Sequence, residues 1–155
     1  MSKVLIIGFG TVGHNLAEEL APLHPDIYDK YKPEHNTRDP QGGYDVAFIC
    51  VDTPYLPGKS VCDTSEVVNA IQENDAEIFV MKSTVLPGTV DRLCMETGKN
   101  IIFSPEYYGG TQHCNNFDFA FTILGGERRC CLKVQQLLQN VYDARHTFRI
   151  TDAKT

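Results

Sequence analysis

No run of apolar residues in this 155-residue chain approaches the roughly 20 that a membrane-spanning helix needs. The start, Met1-Ser2-Lys3-Val4, passes straight into an apolar run too short for a secretory signal. No Lys/Arg cluster is present, and 20 acidic against 14 basic side chains give a net charge of −6. That balance argues against binding a nucleic acid backbone. Six cysteines stand at 50, 62, 94, 114, 130 and 131, but no Cys-x-x-Cys pair occurs among them. Without a secretion signal their even number does not imply disulfides, and a reduced, cytoplasmic chain is expected. Nothing near His113-Cys114 completes a metal site with usual ligand spacing, so no metal is expected. Cys50 reads as a small core hydrophobe, whereas a helix would point the neighbours Cys130 and Cys131 in different directions.

What is present is an ordinary globular composition, 42% hydrophobic and 22% charged. At roughly 150 residues per domain the length suits one domain. Short apolar runs recur at Val4–Ile7, Val46–Val51, Ile78–Met81, Ile101–Phe103 and Phe119–Leu124. Ile27-Tyr28 and Thr147–Ile150 are further strand candidates. Continuous hydrophobicity fits strands covered on both faces. Between the runs the period changes to that of a helix. Val12, Leu16 and Leu20 form one apolar face, and Val134, Leu137, Leu138 and Val141 another. Asp63 and Glu66 have the spacing of a capping box. Pro87-Gly88 opens a further helix that Gly98 can end. The alternation predicts an α/β fold: a doubly wound, Rossmann-type, mainly parallel sheet with helices on both faces. Residues 30–43, with two prolines, two glycines and no apolar period, read as an irregular crossover.

Gly8-Phe9-Gly10-Thr11-Val12-Gly13 is G-x-G-x-x-G, set directly between the first apolar run and an amphipathic helix. Glycine-rich turns are common, and position gives this one its meaning. Gly8 permits the tight turn, Gly10 lets the backbone approach a pyrophosphate, and Gly13 lets helix and strand pack closely. The helix N-terminus supplies free N–H groups and partial positive charge for phosphates. Asp29 follows Ile27-Tyr28, 21 positions after Gly8, where an acid accepts hydrogen bonds from the adenosine ribose. A carboxylate there repels a 2′-phosphate and favours NAD over NADP, while Lys30 and Lys32 weigh the other way. The competing reading is a structural α/β turn followed by a surface aspartate.

Three more polar segments stand where strands should end, the edge at which such sheets bind ligands. They are Val51-Asp52-Thr53-Pro54, Lys82-Ser83-Thr84-Val85-Leu86-Pro87-Gly88-Thr89 and Ser104-Pro105-Glu106-Tyr107-Tyr108-Gly109-Gly110. Their hydroxyls and carboxylate could contact a nicotinamide ribose, orient a water or take a proton. Taken singly, each could equally be a polar turn.

Together and in this order they resemble the NAD-binding domain of the UDP-glucose/GDP-mannose (nucleotide-sugar) dehydrogenase family. The likeness covers nearly the whole chain through GFGTVG, VDTP, KSTVLPGT and SPE, and KSTV is nearer the UDP-glucose 6-dehydrogenase branch. The resemblance implies an NAD-dependent, two-step oxidation of a nucleotide-sugar C6 alcohol to a carboxylate, with a UDP-sugar as substrate. It implies cofactor contacts at Gly8, Phe9, Gly10, Thr11, Val12, Gly13, Asp29, Val51, Thr53, Ser83 and Thr84. It further implies Thr84 near the reacting centre and Glu106 positioning or activating a hydrolytic water. By the same likeness residues 1–150 form the NAD-binding domain, and 151–155 lead toward a central helix and substrate domain. The family's nucleophilic cysteine, and the lysine and asparagine of its central helix, have no counterparts here. A second glutamate expected four residues after Glu106 is replaced by Gly110, and the stretch at 30–43 is abbreviated. The expectation is therefore a cofactor half that is inactive alone, as monomer or homodimer. The alternatives are a stand-alone NAD(H)-sensing module, which needs neither KSTV nor SPE, and a small dehydrogenase that completes its site by oligomerising.

Overall fold

The apolar runs become strands because both sides of each are covered. In the computed structural model, which describes residues 2–59, 61–106 and 120–154, the elements alternate as the sequence pattern suggests. In chain order they are β1 (Val4–Ile7), α1 (Thr11–Glu19), β2 (Asp26–Tyr28), β3 (Tyr44–Ile49), β4 (Tyr55–Leu56), β5 (Val61–Cys62), α2 (Ser65–Glu73), β6 (Ala76–Met81), α3 (Thr89–Thr97), β7 (Asn100–Phe103), β8 (Phe121–Gly125), α4 (Arg128–Leu138) and β9 (Thr147–Thr151). Seven strands form one sheet in the order β2-β1-β3-β6-β7-β8-β9, and β4 and β5 form a separate antiparallel ribbon. Within the large sheet β2, β1, β3, β6 and β7 are mutually parallel. β8 runs antiparallel to β7, and β9 parallel to β8. The chain is thus the expected doubly wound, mainly parallel α/β fold.

Alternate residues of each strand feed two cores. Val4, Ile6, Val46, Phe48 and Val80 face α1 and α4, meeting Leu16, Leu20, Val134 and Leu138. Leu5, Ile7, Ala47, Ile49, Phe79 and Met81 face α2 and α3, meeting Val67, Ile71, Val90 and Leu93. Contrary to the expectation that they diverge, Cys130 and Cys131 both turn into the first core. They are about 100° apart on α4, an angle that one broad apolar stripe accommodates.

The segment 30–43 runs along the outer edge of the sheet at β2. Ile27 of β2 donates its N–H to Thr37 Oγ1 at 2.9 Å, and its carbonyl accepts from the N–H groups of Thr37 and Arg38. The exposed ladder of an edge strand is thereby satisfied without another strand. The Arg38 guanidinium lies 3.9 Å from the centre of the Tyr28 ring and donates to Asn74 Oδ1 at 2.7 Å, which pins the segment against the sheet.

Two helix starts differ from expectation. The Asp63–Glu66 capping box does not form: Asp63 Oδ1 accepts from the Ser65 N–H at 2.9 Å, while Glu66 turns to Lys30 and Tyr31. The spacing is right for a box, but α2 begins at Ser65, so Asp63 stands one residue before its N-cap, Thr64. At α4 the cap is Glu127, whose carboxylate accepts from the Cys130 N–H at 2.8 Å. Phe119, at the head of the expected fifth run, lies outside the described residues, as do Tyr107–Gly110 and His113-Cys114.

Hydrogen bonds from the Arg129 and Cys130 N–H groups hold the Glu127 carboxyl below its ordinary value of 4.5. A carboxyl with a depressed folded-state value stabilises the fold above its unfolded value and loses that contribution as pH falls through the folded one. Glu127→Ala should therefore lower the urea midpoint at pH 7, with the gap to the parent closing as pH falls below 4.5. An equal gap at pH 3 and pH 7 would assign the loss to something other than the charged cap.

Candidate functional site

The strand order reverses between β1 and β3, since the chain leaves β1 for β2 on one side and returns to β3 on the other. At such a switch point the loops after the two strands part, leaving a crevice at their carboxyl ends. A cavity of about 240 Å³ opens there, and Gly8, Gly10, Asp29 and Val51 lie in its wall. Thr53, Ser83, Thr84 and Glu106 stand outside that wall, after β3, β6 and β7.

The three turn glycines have different reasons to be glycine. Gly8 has φ +92°, and a Cβ on it would sit 2.7 Å from the Cys50 carbonyl oxygen. A Cβ on Gly13 would lie 1.9 Å from the Gly8 carbonyl oxygen, so α1 rests directly on the turn. Gly10 is the opposite case, with no heavy atom within 4 Å of such a Cβ. Packing does not require glycine there; Gly10 lines the cavity, at the N-cap of α1 where no side chain caps the first turn. Unpaired N–H groups and an uncrowded backbone suit a pyrophosphate. Phe9, Thr11 and Val12 complete the turn: Phe9 packs its ring near His14 and His35, Thr11 is exposed, and Val12 packs against the first core.

Asp29 follows β2, as expected of a ribose acid, and is 8% exposed. Its Oδ2 accepts from the Phe9 N–H at 2.6 Å, and its Oδ1 from the Tyr31 and Lys32 N–H groups at 2.8 and 3.0 Å. Asn36 Oδ1 accepts from the Asp29 N–H in turn. Tyr28, Tyr31, Glu66, Asn69 and Glu73 also line the cavity, and the sequence reading gave none of them a place in the site. Tyr28 donates to Glu73 and Tyr31 to Glu66. Lys30 lies 3.7 Å from the Glu66 carboxylate, which raises its pKa.

Along the rest of the edge the expected hydroxyls bind main chain. The Ser83 hydroxyl donates to the Val51 carbonyl at 2.6 Å, and that of Thr53 to the Thr84 carbonyl at 2.5 Å. These bonds lash the ends of β3 and β6 together, and Thr84 is left exposed. Glu106 meets a partner the sequence reading missed: its Oε2 lies 3.3 Å from the Lys82 ammonium, which also donates to Ser104 Oγ at 3.3 Å. Both charged side chains are nearly buried, 10% and 11% exposed. The signal was present in the register: Met81 pairs with Phe103, so the next residues, Lys82 and Ser104, are neighbours.

Cys50 also lines the cavity, but burial pushes its thiol up to about 12. Burial likewise raises Cys94, Cys130 and Cys131. At neutral pH these four are thiols rather than thiolates, a poor state for a nucleophile. No cluster able to hold a metal ion occurs among the described residues, and no described helix is long and apolar enough to cross a membrane.

The family model for the UDP-glucose/GDP-mannose dehydrogenase family, NAD binding domain, matches residues 29–146. That match starts after the glycine turn, so the turn is a separate observation. No curated protein matches the chain. Among solved structures, a UDP-glucose dehydrogenase from the archaeon Pyrobaculum islandicum is similar at 20% identity and TM-score 0.74, covering 99% of this chain and 47% of that one. A UDP-D-ManNAc dehydrogenase from Pyrococcus horikoshii gives the same identity and score over 98% and 47%. The UDP-N-acetyl-mannosamine dehydrogenase Cap5O from S. aureus gives 18% and 0.68 over 99% and 48%. At these identities the likeness is one of fold, and the chain spans about half the length of each structure.

The glycine contacts predict a contrast in stability. Gly13→Ala should cost roughly 3 kcal/mol in urea unfolding, because backbone must move to admit the methyl. Gly10→Ala should cost less than about 1 kcal/mol, since it meets no atom and only exchanges one N-cap for a poorer one. Equal losses would contradict the geometry of the turn.

Proposed function

The chain belongs to the UDP-glucose/GDP-mannose dehydrogenase family as its NAD-binding domain, and on that premise we propose how its own residues divide the work. Gly8–Gly13 and the N-terminus of α1 take the pyrophosphate of NAD, and Asp29 takes the adenosine ribose. The observation that carries this reading is the single cavity whose wall joins Gly8, open-faced Gly10 and Asp29 at the switch point. NAD, when bound, supplies the hydride acceptor for alcohol oxidation.

Thr53, Ser83 and Thr84 bound the path from that cavity along the carboxyl edge. Val51 lies at its start, and the hydroxyl bonds of Ser83 and Thr53 hold the two strand ends at fixed spacing. Glu106 orients a water for hydrolysis, and its pairing with Lys82 keeps the carboxylate in one place. A carboxylate that positions water must be held within hydrogen-bond reach of it.

We assign the substrate as a UDP-sugar and the reaction as oxidation of its C6 alcohol to a carboxylate, on the pattern of a UDP-glucose 6-dehydrogenase. KSTV and SPE support this, since a sensor of NADH needs neither. Residues 1–150 serve as the cofactor unit, with 151–155 leading toward the sugar-binding half. The raised pKa values of Cys50, Cys94, Cys130 and Cys131 support placing the covalent nucleophile elsewhere. A cytoplasmic setting suits the five free thiols among the described residues.

Calorimetry on the chain should show NAD binding, and Gly10→Ala, although folded, should weaken it at least tenfold by filling the face the phosphates use. Asp29→Ala should also weaken it. Mixed with NAD and UDP-glucose, the chain should give no sustained rise in NADH absorbance. Unchanged affinity in Gly10→Ala would remove the phosphate assignment, and steady turnover would refute the division of labour.

A further inference from the structure

We propose that Lys32 makes this dinucleotide site tolerant of a 2′-phosphate, so that the chain binds NADP as well as NAD; the proposal rests on the dinucleotide reading of the cavity. An acid at the end of β2 excludes NADP when its two oxygens are free to take the 2′- and 3′-hydroxyls and its charge is unopposed. Neither condition holds here. Asp29 accepts three main-chain N–H groups, two on Oδ1 and one on Oδ2. A carboxylate offers about four lone-pair positions, so about one is left for the ribose, on Oδ2. The negative charge is spread over the same three donors.

A cation stands beside it. Asp29 holds the N–H of Phe9, and the Lys32 ammonium donates to the carbonyl of that same residue at 2.7 Å. One residue of the glycine turn thus carries the acid at one end and the ammonium at the other. Both Asp29 and Lys32 line the cavity. That bond goes to a neutral carbonyl, which leaves the full positive charge and further donors for an incoming anion. Lys30 is in the same wall but already faces Glu66 at 3.7 Å, so Lys32 is the residue available to a phosphate. The local backbone that puts it there is Asp29's own: the acid binds the Lys32 N–H and so folds the lysine back over the turn. In an ordinary site of this type the acid repels the extra phosphate; here it positions the cation that receives it.

Calorimetric titration of the chain with NAD and with NADP tests this, using Lys32→Met and Lys32→Arg beside the parent. The expected result is an NADP dissociation constant within about tenfold of that for NAD. Lys32→Met should weaken NADP tenfold or more and NAD by less than threefold, and Lys32→Arg should restore NADP binding. Thermal melts of the variants establish that each is folded. NADP weaker than NAD by more than tenfold in the parent chain overturns the proposal, as does an equal effect of Lys32→Met on both dinucleotides. NAD binding with NADP excluded leaves the dinucleotide reading intact and removes only this inference. Failure of both to bind removes both.

Discussion

The carboxylate of Asp29 is the point on which the cofactor edge of this fold depends. It ties the glycine turn, through the Phe9 N–H, to the segment that follows β2, through the Tyr31 and Lys32 N–H groups. Without it, two stretches of irregular backbone would meet at a buried place with unsatisfied donors, which costs more than a hydrogen bond gains. The turn itself is fixed from the other side by Gly8, where a Cβ would meet the Cys50 carbonyl, and by Gly13, where one would meet the Gly8 carbonyl. Strand, turn, helix and acid are therefore one mechanical unit.

The irregular segment after β2 sharpens that dependence. Where another strand would hydrogen-bond to β2, one hydroxyl and two N–H groups from Thr37 and Arg38 do so at Ile27 alone. Such an edge has few contacts to hold its register. Arg38 stacking on Tyr28 and Asn36 bonding to Asp29 supply the missing restraint. The result brings Lys32 and His35 close to Phe9, so the way the sheet edge is closed decides which side chains stand beside the glycine turn.

The elements legible in the sequence were those whose burial is symmetric. β1, β3, β6 and β7 are covered on both faces and show as continuous apolar runs. β2 is half-buried throughout and left only Ile27-Tyr28 as a trace. Hydrophobicity carries no arrow, so the reversal of β8 against β7 was not readable from Ile123-Leu124. The ribbon of β4 and β5 has two residues in each strand, too few for a period. In the site, residues fixed by local backbone needs were readable: Gly8, Gly13 and Asp29 at their spacing. Residues that matter through neighbours distant in the chain were not, and Lys82, Tyr28 and Glu66 are of that kind. Their partners lie 24, 45 and 36 positions away.

The pairing of Lys82 with Glu106 shows why such residues concentrate at this edge. Taking two charges nearly out of water costs desolvation that their attraction only partly returns, and apolar residues of similar volume would serve stability as well or better. Nearby, Ser83 and Thr53 hydroxyls already bridge the strand ends at no cost in charge. The sheet therefore does not need the pair to stay assembled. What the pair provides is a carboxylate held in one position at the carboxyl end of β7, beside the cavity's edge rather than within it. A fixed acceptor in a partly dried place is what water-directed chemistry requires.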